Sequence, residues 1–224
     1  MQVPPASPPV LFQQPRRAFL AVTALLATMG TASVHAQEPA WRALREPGAI
    51  VLMRHATAPG VGDPPGMRLD DCASQRNLDE RGRSEARRLG EAFRKRRIEV
   101  GRVVSSRWCR ARETARLAFE AAVGAGAPEG VARPGHGVPV DDEPAFDSFF
   151  GEPGLGHAQT LRARELLAQW KGPGVLVVVT HQVNIRALTG INTASAEALV
   201  VRVPPGDGPL VVVGRVTFCR AACA

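Results

Sequence analysis

Short unbroken apolar runs alternate along this chain with longer segments whose apolar residues recur every three or four positions. Ala49-Ile-Val-Leu-Met53 and Gly174-Val-Leu-Val-Val-Val-Thr180 are continuous runs of strand length, and Val100–Ser105 is a third strand candidate. Between them, Asp79 is placed to cap a helix running to about Arg97, with Ala86, Leu89, Ala92 and Phe93 at helical spacing. Arg107–Val123 predicts a second helix, Ala158–Trp170 a third and Val183–Leu188 a short fourth. Gly60–Gly66 and Gly124–Gly137 read as loops, Val138–Val140 as a brief strand, and Phe146–Gly156 as an irregular stretch carrying exposed aromatics. Ala198–Val203 and Leu210–Val216 flank a Pro-Pro-Gly-Asp-Gly turn and predict an antiparallel pair. Strands alternating with helices imply an α/β fold. The expected domain has three layers, with a mostly parallel sheet covered on both faces and an antiparallel edge. No linker or internal repeat divides residues 37–224, so one domain is expected there.

Composition narrows the class. Of 224 residues, 45% are hydrophobic and 22% charged, which excludes collagen, a coiled coil and a dominantly disordered chain. The formal charge is +7, and the basic residues are almost all arginine, with Lys95 and Lys171 the only lysines. Arginine offers a planar fork of donors suited to phosphate and carboxylate. Nucleic acid is disfavoured as a partner: there is no tyrosine, aromatics are 5%, and no basic run is interleaved with stacking residues.

Residues 1–36 contain no acid. Arg16-Arg17, the apolar and small run Ala18–Thr31, and Val34-His35-Ala36 together predict an export signal cleaved after Ala36. Pro15-Arg16-Arg17-Ala18-Phe19-Leu20 is similar to a twin-arginine signal, with the general secretory route the alternative. The run is too short for stable membrane insertion, and nothing later approaches the roughly 18 apolar residues of a spanning helix. A periplasmic or secreted location is therefore expected. Four cysteines in an exported chain imply disulfides, and three pairings are possible. Cys72–Cys109 with Cys219–Cys223 is preferred because the latter two are near neighbours at a chain end. Zinc is disfavoured, since there is no C-x-x-C pair and histidine is scarce.

In open parallel sheets ligands collect beyond the carboxyl ends of strands. The first strand ends in Arg54-His55-Ala56-Thr57, the second in Ser105-Ser-Arg-Trp-Cys-Arg110, and the long apolar strand in Thr180-His181-Gln182. Two histidines and two arginines thus converge on one sheet edge.

In this setting the chain resembles the histidine phosphatase superfamily, which includes the cofactor-dependent phosphoglycerate mutases. Val51-Leu-Met-Arg-His-Ala-Thr57 is similar to the family's strand and Arg-His-Gly motif. Asn77-Leu-Asp-Glu-Arg-Gly-Arg-Ser-Glu-Ala86 resembles its Leu-Thr-x-x-Gly-x-x-Gln-Ala helix start. Ser105-Ser-Arg-Trp-Cys-Arg-Ala-Arg-Glu-Thr-Ala115 resembles Ser-Ser-x-x-x-Arg-Ala-x-Glu-Thr-Ala, and Val177-Val-Val-Thr-His181 the strand carrying the second histidine. The matches come in family order and span residues 49 to about 190. Ala56 departs from the usual glycine. Gln182 departs from the Asp or Glu of the large phytase-like branch, which with the short chain points to the small branch.

The resemblance implies His55 as a nucleophile forming phosphohistidine, with Arg54 and Arg110 clamping phosphoryl oxygens and His181 completing the pocket. It implies no cofactor and no metal, because fixed cations supply the charge. The proton donor is expected between Arg110 and His181, among Asp141, Asp142, Glu143, Asp147 and Glu152. Asp147 is favoured because flanking aromatics could desolvate it; Glu143 is second. Arg107 and Arg112 read as solvated helix residues, and Asn184 as a pocket neighbour or a turn residue. The expected activity is an exported phosphatase acting on a phosphorylated small molecule or envelope component. The alternatives are a non-catalytic anion-binding envelope protein and, less favoured, a phosphomutase. Oligomeric state is left open.

Overall fold

The computed structural model describes residues 37–120, 137–206 and 208–217. The expected export signal and Cys219–Cys223 lie outside the described residues. Six strands form one mixed sheet: β1 (Ile50–Arg54), β2 (Val100–Ser105), β3 (Val140–Asp142), β4 (Val175–Thr180), β5 (Ala198–Arg202) and β6 (Val211–Val216). Their order is β3-β2-β4-β1-β5-β6. β1, β2, β3 and β4 pair in parallel, whereas β5 runs antiparallel to β1 and β6 antiparallel to β5. This is the expected parallel core with an antiparallel edge.

The helices are α1 (Glu80–Lys95), α2 (Cys109–Phe119), α3 (Gly156–Gln169) and α4 (Gln182–Thr189). The strand alternation shows why both faces are covered. Val51 and Met53 of β1 join a core cluster with Leu89, Phe93 and Phe119 of α1 and α2. Ile50 and Leu52 point the other way, into a cluster with Phe146, Leu167, Ile185 and Leu188. Every residue of β4 is buried, as its unbroken apolar run requires.

Asp79 caps α1 as expected, accepting from the Gly82 amide at 2.7 Å. The stretch expected to be irregular contains two short 3-10 turns, Pro144–Phe146 and Pro153–Leu155, each with proline in its first turn. Its aromatics divide: Phe146 is buried and Phe150 exposed. Two glycines permit backbone contacts that a side chain would block. A Cβ on Gly90 would lie 2.0 Å from the Ala118 carbonyl oxygen, so α1 meets α2 there. A Cβ on Gly82 would lie 2.1 Å from the Thr57 carbonyl oxygen, pressing α1 against the turn that follows β1.

Candidate active site

The register of the central strands brings the two histidines together. Arg54 pairs with Thr180 across β1 and β4, and the His55 amide donates to the Thr180 carbonyl at 2.9 Å. His55 and His181 therefore leave adjacent strands at the same level, and their ring centroids are 5.3 Å apart. β2 lies on the other side of β4. The Ser106 amide donates to the Val179 carbonyl, which starts α2 at the same edge and delivers Arg110. Arg54, His55, Arg110 and His181 line one cavity of about 940 Å³. That lies near the upper end of the roughly 300–1,000 Å³ of small-molecule sites.

Hydrogen bonds fix the state of His55. Its Nδ1 lies 2.7 Å from the Ala56 carbonyl oxygen, so Nδ1 carries the proton and Nε2 the lone pair. Nε2 accepts from Arg110 Nε at 3.3 Å. Burial, reinforced by Arg110, Arg54 and Arg76, lowers the His55 pKa from 6.5 to about 3, so the imidazole is neutral at neutral pH. Burial also pushes His181 well below its ordinary value, helped by His55 and the same arginines.

Arg54 is held by a bond from Nη1 to the Thr193 carbonyl at 2.9 Å, while its buried Nε has no partner among the described residues. Arg110 is buried and pairs with the part-buried Asp63, its Nη1 and Nη2 meeting Oδ1 and Oδ2 at 2.7 and 3.1 Å. Burial alone would raise the Asp63 carboxyl, but Arg110, the Arg76 amide and the Trp108 indole hold it below its usual range. Burial likewise lowers Arg54, Arg76 and Arg110.

Three of the four sequence motifs are bonded to one another. The Ala56 amide donates to Thr114 Oγ1 at 3.0 Å, and that hydroxyl donates to the Arg110 carbonyl at 2.7 Å. The Thr57 amide donates to the buried Glu85 carboxylate at 3.0 Å. The turn carrying His55 is thereby tied to both α1 and α2.

The carboxylates expected to supply a proton are dispersed. Asp141 and Asp142 pair with Arg102 and Arg112 at the sheet edge. Glu143 accepts from the Ala145 amide and lines a separate cavity of about 220 Å³ with Arg102, Leu166 and Trp170. Asp147 is buried, but it acts as an acceptor. It takes bonds from the Arg107 amide at 2.8 Å, from Arg107 Nε at 2.7 Å and from Ser106 Oγ at 3.2 Å. The desolvation expected from its aromatic neighbours is thus accompanied by a guanidinium counter-ion, and Arg107 is not the freely solvated residue expected. Of the five carboxylates, Glu152 alone lines the His55 cavity.

Ser106 links Asp147 to His181, whose Nε2 lies 2.8 Å from Ser106 Oγ. The hydroxyl gives its single proton to the Asp147 carboxylate, so His181 Nε2 is the donor in this contact. Asn184 Nδ2 donates to the Asp147 carbonyl at 2.9 Å, fixing the same segment. Sequence reasoning missed Arg76 and Asp63, which both line the cavity from the loop between β1 and α1. It also assigned no role to Ser106, Glu85 and Thr114. The last three stand inside the quoted motifs, and that was a usable signal. Arg76 and Asp63 carried none.

Residues 50–125 match the model described as the histidine phosphatase superfamily (branch 1). Over that segment the chain is similar to the histidine phosphatase superfamily. Its fold is similar to that of the open reading frame Rv3214 from Mycobacterium tuberculosis, at 15% identity over 76% of this chain and 98% of that chain, with a TM-score of 0.51. Weaker likenesses include the protein histidine phosphatase SixA complexed with tungstate (16% identity, 76% and 97% covered, TM-score 0.47). Mycobacterial glucosyl-3-phosphoglycerate phosphatase Rv2419c is another (18%, 69% and 92%, TM-score 0.45). No curated protein matches the chain at a significant level. Cys72 and Cys109 form a disulfide. No helix among the described residues is long and apolar enough to cross a membrane.

Proposed function

We propose that this protein is an exported phosphatase that hydrolyses phosphomonoesters through a phosphohistidine on His55. The observation that carries the reading is a buried neutral imidazole, its unprotonated Nε2 accepting from Arg110, in a cavity lined by Arg54, Arg76 and Arg110. A neutral imidazole attacks phosphorus, and guanidinium forks take up the charge that develops on the phosphoryl oxygens. Nε2 forms the bond to phosphorus as the ester oxygen leaves. Water then attacks the phosphohistidine, and phosphate departs with Nε2 again free. The bond from Nδ1 to the Ala56 carbonyl holds the ring in the reactive tautomer in both steps.

Glu152 is assigned the leaving-group proton, because it is the candidate acid that meets the cavity. Asp147 is assigned a positioning role, acting on His181 through Ser106. Export is supported by the acid-free N-terminus and is consistent with the Cys72–Cys109 disulfide. N-terminal sequencing of the envelope protein is expected to begin at Gln37.

The test is phosphate release across a substrate panel, with His55→Ala as control. Wild-type protein is expected to turn over and to trap acid-labile phosphate on His55. The Ala variant is expected to do neither. Glu152→Gln is expected to slow alkyl phosphates by roughly 10²–10⁴, the range of general acid catalysis, and to spare nitrophenyl phosphate. Asp147→Asn is expected to slow both alike. Turnover that survives loss of His55 would reject the mechanism.

A further inference from the structure

Arg76 lies on the loop between β1 and α1, away from the strand ends that supply the other site residues. Its guanidinium donates from Nε to the Gly62 carbonyl at 2.7 Å and from Nη1 to the Ala58 carbonyl. Those two bonds set the plane of the group and leave Nη2 without a partner among the described residues. Arg76 makes no ion pair among the described residues, yet it is half-buried in the wall of the His55 cavity. It lines the same cavity as His55, His181, Arg54 and Arg110, and its charge lowers the pKa of each.

The loop that presents Arg76 is fastened to the helix that presents Arg110. Cys72 is bonded to Cys109, the first residue of α2 and the neighbour of Arg110. The Cys109 amide donates to Gln75 Oε1 at 2.9 Å. Asp63 joins the two sides, accepting from the Arg76 amide at 3.1 Å while it pairs with the Arg110 guanidinium.

We propose that Arg76 is a third phosphoryl-binding guanidinium, held at His55 by a loop that the Cys72–Cys109 disulfide fastens to α2. The proposal rests on the phosphatase reading above. A phosphoryl group in transfer spreads charge over three equatorial oxygens. Arg54 and Arg110 approach from the strand edge and the helix start. Arg76 approaches from the loop, so three guanidinium groups meet three oxygens.

The test uses inorganic phosphate as the probe, with binding measured by calorimetry and turnover measured on nitrophenyl phosphate. Arg76→Gln keeps a donor for the loop carbonyls but removes the charge, whereas Arg76→Lys keeps the charge. The Gln variant is expected to bind phosphate about 10- to 100-fold more weakly, the loss typical of one hydrogen bond to a charged group, with an unchanged thermal midpoint. The Lys variant is expected to recover most of that affinity. Equal losses in both variants would reduce Arg76 to a loop tether. Full phosphate affinity in the Gln variant would overturn the proposal outright. A wild-type protein that neither binds phosphate nor turns over would reject the phosphatase reading itself, and the role of Arg76 with it.

The disulfide clause has its own arm. Dithiothreitol supplies two electrons and two protons, so the Sγ–Sγ bond breaks to two thiols and the reagent becomes its own cyclic disulfide. Reduced wild-type protein is expected to lose phosphate affinity toward the Arg76→Gln level, while reduction of the Gln variant changes little. That non-additivity is the signature of two groups acting as one unit. Equal falls in both proteins would show that the disulfide does not act through Arg76.

Discussion

Holding His55 neutral has a cost that acid should expose. Its pKa falls from 6.5 in an unfolded chain to about 3 in the folded protein, chiefly through burial. Between those values the unfolded state binds more protons than the folded one, so stability rises with pH. The stabilisation is fully present above pH 6.5 and is lost as the pH falls toward 3. At about 1.4 kcal/mol for each tenfold change, the whole window corresponds to about 5 kcal/mol, of which about 2.5 kcal/mol lies between pH 7 and pH 4.5. His55 is only 2% exposed, so solvent screening does little to reduce that figure. His181 is lowered in the same direction and adds to the loss.

The perturbation is His55→Gln, which cannot titrate. Urea unfolding followed by tryptophan fluorescence, at pH 7 and pH 4.5, measures the change in each protein. The wild type is expected to lose about 2.5 kcal/mol more than the variant over that interval. The other titrating groups are common to both proteins and cancel in the comparison, except His181, whose depression includes a contribution from His55. Parallel losses would show that His55 protonates as readily in the folded state as in the unfolded one, and the neutral-nucleophile argument would fall with it.

Gly82→Ala is expected to destabilise the protein by about 1–3 kcal/mol, the usual effect of overpacking, because the new Cβ meets the Thr57 carbonyl oxygen. It should also lower kcat, since Thr57 is two residues from His55; full activity in a destabilised variant would show that the turn tolerates the shift. Asp63→Asn removes the carboxylate partner of the buried Arg110 and is expected to cost up to about 3–5 kcal/mol. Added phosphate should restore thermal stability more in this variant than in the wild type, because an anion re-partners Arg110; an equal response in both would count against it.

The amphipathic periods and apolar runs determined the architecture from sequence alone. Burial of β4 on both faces follows from the five aliphatic residues that precede Thr180 in it. Asp79 announced the start of α1, and the turn at residues 204–208 announced the antiparallel edge. The four site residues at the strand ends were legible for the same reason: a parallel sheet aligns the carboxyl ends of its strands, so residues just past them share an edge. Cys72–Cys109 was preferred, but three pairings were open until the loop and α2 were brought together in space.

Tertiary structure alone decided which charges face the site. Asp141, Asp142, Glu143, Asp147 and Glu152 are close in sequence, yet only Glu152 reaches the His55 cavity. The chain between β3 and α3 turns twice at prolines, and each turn sends neighbouring side chains in different directions. Asp147 read as a desolvated acid because Arg107 is forty positions away and nothing local announced the ion pair. Arg76 and Asp63 were invisible for a related reason. Their place is set by a loop that crosses the cavity, pinned to α2 by one disulfide and several hydrogen bonds, and no repeating pattern records such long-range contacts. Periodic elements write their burial into the sequence because one backbone geometry repeats along them. A loop has no such repeat, so its side chains are assigned only by the surfaces it folds against.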